Sequence, residues 1–455
     1  MIAKLKKRLS LVKKNRDLNN VGYSLLSYLI TPFVLFFSTP ILLKHLGAEN
    51  YGFWVLINSI IVVMTVSNFG LGNAMIKLGA EFYSDTRESQ VAFNRLFKVT
   101  LTITFWISIV VLGLSVGLGP LFLGLFLDES KESHLFSMSI VIGAIVAFRI
   151  LNSVIAGSYM AKQRYDLNSK VNIIVNLLSS IVFTIIAVTF SDLSYMMYAL
   201  LLSSVILMLI NGLLAKKISS YLEYKMLFDK EIVKRVVHYG VYSGSQTIIS
   251  TLYTQADKFV VGGLLGPSVL GYYTICMQIV SKIHEIPAAA GSYLFAKFSM
   301  LNETKNYTAI RKVYYRSLLI CCAFIVIAST VTIVFAKEIL TLWISPVFAA
   351  QHYEFMQYLI VGVLLGAFGV IPYYYLNGTG FVRANTVINF LISFCTLGTM
   401  AIAIPLIGLT GVAIGKMAGF PMVLFSCYFI ERHMRCEKSL LSSQDLHPRT
   451  LPNRG

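Results

Sequence analysis

Apolar residues run through this 455-residue chain in long, almost unbroken blocks, separated by short polar and mostly basic segments. The blocks do not alternate with the period of two that marks a half-buried strand, and most lack the polar face of a surface helix. A helix that is apolar all the way round belongs in a bilayer, and about 20 such residues cross the hydrocarbon core. Twelve stretches qualify. Six lie at about 21–43, 51–75, 97–120, 135–160, 171–190 and 194–215, and six at about 237–264, 270–296, 314–335, 354–376, 387–405 and 410–430. The pattern predicts an all-α integral membrane protein of about 12 transmembrane helices.

One short pattern occurs twice. Leu46-Gly47-x-x-x-x-Gly52 recurs, 219 residues on, as Leu265-Gly266-x-x-x-x-Gly271, each followed by an apolar run. Equal spacing half a chain apart predicts two pseudosymmetric six-helix lobes with a path between them. The expected division is an N-terminal lobe over 1–220, a linker over 221–236, a C-terminal lobe over 237–435 and a tail over 436–455.

Composition agrees: 56% hydrophobic, 13% charged and mean hydropathy +0.72 leave too little polar surface for a soluble protein. The net charge of +17 raises the question of nucleic acid, but its placement answers it. With the N-terminus on the cytoplasmic side, the inner segments hold 31 of the 38 Lys and Arg residues, whereas the outer loops hold only Lys44, Lys131 and Lys337. This is the positive-inside signature of a membrane protein with both termini in the cytoplasm, and no nucleic-acid partner is expected. Seven basic residues between Lys4 and Arg16 precede a first apolar stretch too long for a removable signal, so a basic cytoplasmic leader is expected. The six cysteines have no CxxC spacing and sit in or beside apolar runs; core thiols are expected, with no disulfide framework and no metal. No GxxxxGK[ST] loop is present and no loop exceeds about 25 residues, so neither a nucleotide cofactor nor an extramembrane catalytic domain is expected.

Six ionisable residues fall within the spans: Arg149, Lys258, Lys282, Lys416, Asp257 and Glu285. A charge facing lipid costs at least about 2.5–3.5 kcal/mol, so these are expected to face a cavity or one another. Lys282 and Glu285 are one turn apart and can pair; Arg149 and Lys416 have no acid nearby in sequence. On the seventh span Tyr239, Tyr242, Gln246, Ser250, Tyr253 and Asp257 recur at spacings that put them within about 40° of one line. Tyrosines and amides on one face suit sugars, by ring stacking and by hydrogen bonds to hydroxyls, although helix–helix bonding needs the same residues. Arg149, Asn152 and Ser153 share a side of the fourth span. Gly411, Gly415 and Gly419 form a small-residue face suited to close helix packing. Pro32, Pro40, Pro287 and Pro372 are candidate bends. Four basic against two acidic groups favour an anionic substrate.

The stretches Leu42–Ile60, Asn68–Ala74 ("NFGLGNA") and Tyr253–Ile279 resemble the polysaccharide-exporter branch of the superfamily that also contains the multidrug, MATE-type exporters. The chain looks like an O-antigen flippase along nearly its whole length. The resemblance implies a MATE-like fold and translocation of an undecaprenyl-pyrophosphate-linked oligosaccharide across the bacterial inner membrane, with polymerisation following on the periplasmic side. Implied partners are that lipid-linked substrate, bilayer lipids, a polysaccharide polymerase and a chain-length regulator. Carried over by position, Arg149, Lys258, Lys282 and Lys416 would line the path and Asp257 would stand in its seventh-span segment. One departure is Asn68, where the family usually has Asp.

The expected function is therefore a flippase and not an enzyme. Its substrate path would use Arg149, Lys258, Lys282, Lys416, Tyr242, Gln246, Ser250 and Tyr253, with ion coupling at Asp257 or Glu285. The alternatives are a cation-coupled multidrug antiporter of the same fold and a membrane oligosaccharide polymerase.

Overall fold

The computed structural model describes the backbone of residues 2–82, 84, 86–126 and 132–445. Among the described residues the chain is helical and has no strand. Fifteen α-helices follow one another: α1 (Ile2–Thr65), α2 (Leu71–Gly79), α3 (Arg87–Gly124), α4 (Glu132–Met160), α5 (Tyr165–Phe190), α6 (Leu193–Ile218), α7 (Lys230–Val280), α8 (Lys282–Glu303), α9 (Tyr307–Val334), α10 (Ala336–Trp343), α11 (Pro346–Ala367), α12 (Val370–Gly378), α13 (Val382–Ile407), α14 (Thr410–Met417) and α15 (Phe420–Asp445). A lipid solvent leaves a spanning backbone no other partner than its own helix or a closed barrel.

Ten helical stretches among the described residues are long and apolar enough to span, against the twelve expected. The difference lies at the two glycine motifs. The first two expected spans run together through α1, and the seventh and part of the eighth run together through α7. In place of the expected loops, the backbone leaves helical geometry at one glycine each, so α1 and α7 each comprise two helices that meet at a tight kink. Gly47 has φ 77° and ψ 168°, and Gly266 has φ 83° and ψ 170°. That corner of conformational space is open essentially to glycine alone. Pro40 and Pro287 lie within continuous stretches of α1 and α8, whereas Pro267 follows directly on the break at Gly266. The tenth expected span does break, at 368–369, just ahead of Pro372.

The chain forms two compact units, 1–271 and 272–455. The first unit takes in the start of α7 together with α1–α6. In the first unit α4 is central, packed on α3, α6 and α2. Its core joins Leu71, Met75, Phe93, Phe97, Val154 and Tyr159. In the second unit α13 lies along α14, and α12 packs on α8. Here Gly411, Gly415 and Gly419 face α13 closely: a Cβ on Gly415 would stand 2.0 Å from Met400 Cγ, and one on Gly411 2.6 Å from the Ala403 carbonyl carbon.

Residues 219–229 carry no helix, yet they are tied along α3. The Glu223 backbone N–H donates to Asn94 Oδ1 (3.0 Å), Lys98 Nζ to Glu223 Oε2 (2.6 Å) and the Leu227 N–H to Thr102 Oγ1 (3.0 Å). These α3 residues stand at i, i+4 and i+8, one face of a helix. Leu222 is buried, and Tyr221 stacks edge-on against Phe93 under the Lys162 ammonium. The hydrogen bond from Lys98, with Lys225 close by, holds the Glu223 carboxyl below its usual pKa. Asp229 closes the strap by accepting from the Glu231 N–H at the start of α7 (3.1 Å).

Candidate functional site

Two copies of the glycine motif meet in the first unit. A Cβ on Gly52 would lie 1.7 Å from the Pro267 carbonyl oxygen, and one on Gly271 would lie 2.8 Å from the Ala48 carbonyl oxygen. Adding 219 to 48 gives 267, and to 52 gives 271. Residue i of the first copy therefore touches j of the second while j of the first touches i of the second, the signature of a local two-fold relation. Both contacts need a bare Cα, which is why the motif ends in glycine.

A second glycine contact, not foreseen from the sequence, seats the "NFGLGNA" turn. Phe69 and Gly70 have positive φ (45° and 69°). Asn68 Oδ1 accepts the Gly70 N–H at 2.9 Å and stabilises that turn. The turn presses on α7 where Gly240 and Gly244 stand at i, i+4; a Cβ on Gly244 would be 2.5 Å from the Phe69 carbonyl carbon. Asn73 Nδ2 adds a bond to Ser243 Oγ (3.1 Å). The i, i+4 glycine pair was the available signal.

Polar groups of α4 then form a chain inside the first unit. Asn68 Nδ2 donates to Ser153 Oγ (3.4 Å), and Asn211 Nδ2 on α6 donates to Asn152 Oδ1 (2.8 Å). The Tyr159 hydroxyl is 2.9 Å from Asn211 Oδ1 and 3.2 Å from Asn168 Oδ1. Tyr159 and Asn211 are fully buried, so these bonds satisfy groups that would otherwise cost about 1–3 kcal/mol each. Arg149, one turn before Asn152 and Ser153, is half-buried and has no hydrogen-bond or ion-pair partner among the described residues. The expected Asn152–Ser153 face is thus a packing network, with a guanidinium at its edge.

The other expected site residues fall out differently. On α7, Asp257 and Lys258 are half-buried; Lys258 Nζ donates to Gln255 Oε1 (2.8 Å), and the Lys258 backbone N–H donates to Asp257 Oδ1 (2.9 Å). Ser250 is exposed and Tyr239 packs against the core cluster. The side chains of Tyr242, Gln246 and Tyr253 lie outside the described residues. Lys282 pairs with Glu285 on α8, and Ser281 Oγ donates to the free oxygen of that carboxylate (2.8 Å). Lys416 is half-buried with its Nζ 5.9 Å from the centre of the Tyr273 ring, a cation–π contact. Gly362 on α11 makes room for it, since a Cβ there would come 2.7 Å from Lys416 Cβ. Among the described residues no cluster of His, Cys, Asp and Glu could hold a metal ion.

Residues 41–351, more than half of the chain, match the family model of polysaccharide biosynthesis proteins. The chain belongs to that family. Relatives include a candidate O-antigen transporter of Shigella flexneri, 22% identical over 41% of this chain and 44% of its own length, so the match spans less than half of that protein. A candidate O-antigen export protein of Yersinia pseudotuberculosis is 24% identical over 70% of this chain and 73% of its own length. An uncharacterised membrane protein of Methanocaldococcus jannaschii is 21% identical over 92% and 85%. In fold the chain is similar to an inward-facing multidrug resistance MATE family transporter of the MOP superfamily, with TM-score 0.68 and 16% identity over 90% of this chain and 96% of that one. A MOP superfamily transporter of Pyrococcus furiosus superposes with TM-score 0.51 at 15% identity, over 92% of this chain and 94% of that one. The chain is therefore a multi-pass membrane protein of the polysaccharide biosynthesis family with an all-α fold similar to that of the MATE transporters.

Proposed function

We propose that the chain flips a lipid-linked oligosaccharide, carried on undecaprenyl pyrophosphate, from the cytoplasmic to the periplasmic leaflet of a bacterial inner membrane. The observation that carries this reading is Arg149: a half-buried guanidinium at membrane depth, beside amides and hydroxyls, with no carboxylate partner among the described residues. A cation held this way favours an anionic guest, and a guanidinium can grip a phosphate with two parallel hydrogen bonds. Lys258 and Lys416 add positive charge elsewhere in the bundle. The oligosaccharide would meet amides and tyrosines, and the prenyl tail would stay in lipid. Both termini are assigned to the cytoplasm on the distribution of Lys and Arg. Asp257 is the carboxylate assigned to coupling with a proton or sodium gradient, since Glu285 is engaged by Lys282 and Ser281.

The test is Arg149→Ala, with Arg149→Lys beside it, expressed in a strain lacking the chain. The alanine variant is expected to lose surface polysaccharide while its membrane level stays normal, and the lysine variant to keep part of it. Loss of a charge-assisted bond of about 1.5–3 kcal/mol corresponds to a roughly 10- to 150-fold fall in transport. Full display with alanine, or a changed drug susceptibility with unchanged polysaccharide, would overturn the reading.

A further inference from the structure

A cavity of about 670 Å³ opens in the first unit between the start of α3 and the start of α7. It belongs to neither the glycine contacts nor the Arg149 network. Three guanidiniums line it, those of Arg87, Arg95 and Arg235, against one carboxylate, Glu88. Two of the three are held in place by acids beside the cavity: Arg95 pairs with Asp229 at 2.5 Å, and Arg235 pairs with Glu81. The pairing leaves both guanidiniums open, with side chains 61% and 54% exposed. Arg87 has no ion-pair partner among the described residues and is exposed.

The rest of the wall is apolar. Phe82, Ala92, Leu96 and Ile232 line it, and Val91 stands 62% exposed on α3. The rim thus presents three exposed guanidiniums, two of them held by acids, above an apolar floor. Its lining residues come from 76–98 and 216–236, both of which the Lys and Arg distribution puts on the cytoplasmic side, and α3 enters the hydrocarbon just after Leu96. The rim therefore stands at the depth of the phosphates of the inner leaflet.

We propose that this cavity binds the headgroup of an acidic phospholipid of the cytoplasmic leaflet, the phosphate on the arginines and the glycerol and first methylenes on the apolar wall. Exposed guanidiniums between membrane helices at this level have the chemistry for such a headgroup, because their planar N–H groups match its oxygens. The bound lipid would join α3 to α7 at the strap: Arg95 holds Asp229, the residue that caps α7. The proposal rests on membrane topology and not on the substrate assigned above.

The test is native mass spectrometry of the full chain released from detergent with dioleoyl phosphatidylglycerol or dioleoyl phosphatidylcholine. The wild-type chain is expected to retain the glycerol lipid over the choline lipid. Arg87→Gln with Arg235→Gln is expected to lower retention about fivefold for each guanidinium removed, at an unchanged melting temperature. Arg383→Gln, in another inner segment, is expected to change nothing. If the double glutamine variant melts early, Arg87→Lys with Arg235→Lys keeps the charge and is expected to retain the lipid. Equal retention of both lipids, or unchanged retention in the double glutamine variant, would overturn the proposal. So would loss of the lipid in a well-folded lysine variant. Displacement by glycerol phosphate at equal concentration would show a free-anion site instead, and displacement by a prenyl diphosphate alone would show a substrate-loading site.

Discussion

The two copies of the Leu-Gly-x-x-x-x-Gly motif share a backbone and differ in charge. Gly47 and Gly266 kink their helices at nearly the same dihedral angles, and Gly52 and Gly271 make reciprocal contacts. At the same 219-residue offset the chemistry diverges. Asp257 and Lys258 of the second copy correspond to Ser38 and Thr39 of the first, which are buried and donate to the Leu35 carbonyl of their own helix at 3.3 and 2.7 Å. Lys282 corresponds to Val63. The repeat thus preserves what bends and packs the helices, while Asp257, Lys258 and Lys282 have no charged counterpart in the first copy. Bare Cα positions serve the architecture; the charges, expensive at membrane depth, are the groups that the proposed function assigns to a guest or an ion.

The largest effect is expected from breaking what the copies share. Gly52→Val and Gly271→Val each drive a side chain into backbone of the other copy, at a cost at or above about 3 kcal/mol. Both are expected to abolish the monodisperse peak in fluorescence-detected size-exclusion chromatography, and to similar degree. Gly47→Ala and Gly266→Ala meet no atom within 4 Å, so only backbone strain of about 1–3 kcal/mol applies and a lowered melting temperature is expected instead. A harmless Gly271→Val beside a lethal Gly52→Val would end the symmetry.

The next effect comes from what they do not share. Asp257→Ser with Lys258→Thr gives the second copy the first copy's residues. Folding is expected to survive, because Ser38 and Thr39 satisfy themselves within one turn, while transport falls roughly 10- to 100-fold through loss of charged contacts. Ser38→Ala with Thr39→Val is expected to leave transport near normal. Equal losses in the two double variants, read as surface polysaccharide per membrane-embedded protein, would make the charges structural.

The smallest effect concerns Lys282 and Glu285, which satisfy one another on α8 with side chains 40% and 38% exposed. Exposed pairs contribute no more than about 1 kcal/mol. Lys282→Ala is expected to reduce transport a few-fold by leaving Glu285 unpaired, and Lys282→Ala with Glu285→Ala to restore it. A double variant as poor as the worse single one would move these residues from pairing into the path or the coupling.

Much of this was legible in the chain. Apolar runs, the charge bias and the glycine spacing carried the membrane class, the helical fold and the repeat, because bilayer thickness and the Gly-only kink constrain sequence directly. The intramembrane charges were legible as residues and not as partners. Nothing local distinguishes Arg149, without an ion-pair partner among the described residues, from Lys416, which lies over Tyr273 from another helix. The loops expected at 44–50 and 265–269 are tight kinks because a glycine at φ near 80° ends one helix and lets the next begin at once. The strap at 219–229 was read only as a basic linker, since its ties to Asn94, Lys98 and Thr102 join residues 125 to 129 positions apart.

The central claim is that cations at membrane depth move an anionic lipid-linked sugar. Its most direct measurement is flipping in proteoliposomes of a fluorescent oligosaccharide on a prenyl diphosphate, compared with the same oligosaccharide on an uncharged prenyl ether. The wild-type chain is expected to move the diphosphate and leave the ether, and Arg149→Ala is expected to remove most of that difference. Equal flipping of both lipids by the wild-type chain, or a diphosphate preference untouched by Arg149→Ala, would contradict the account.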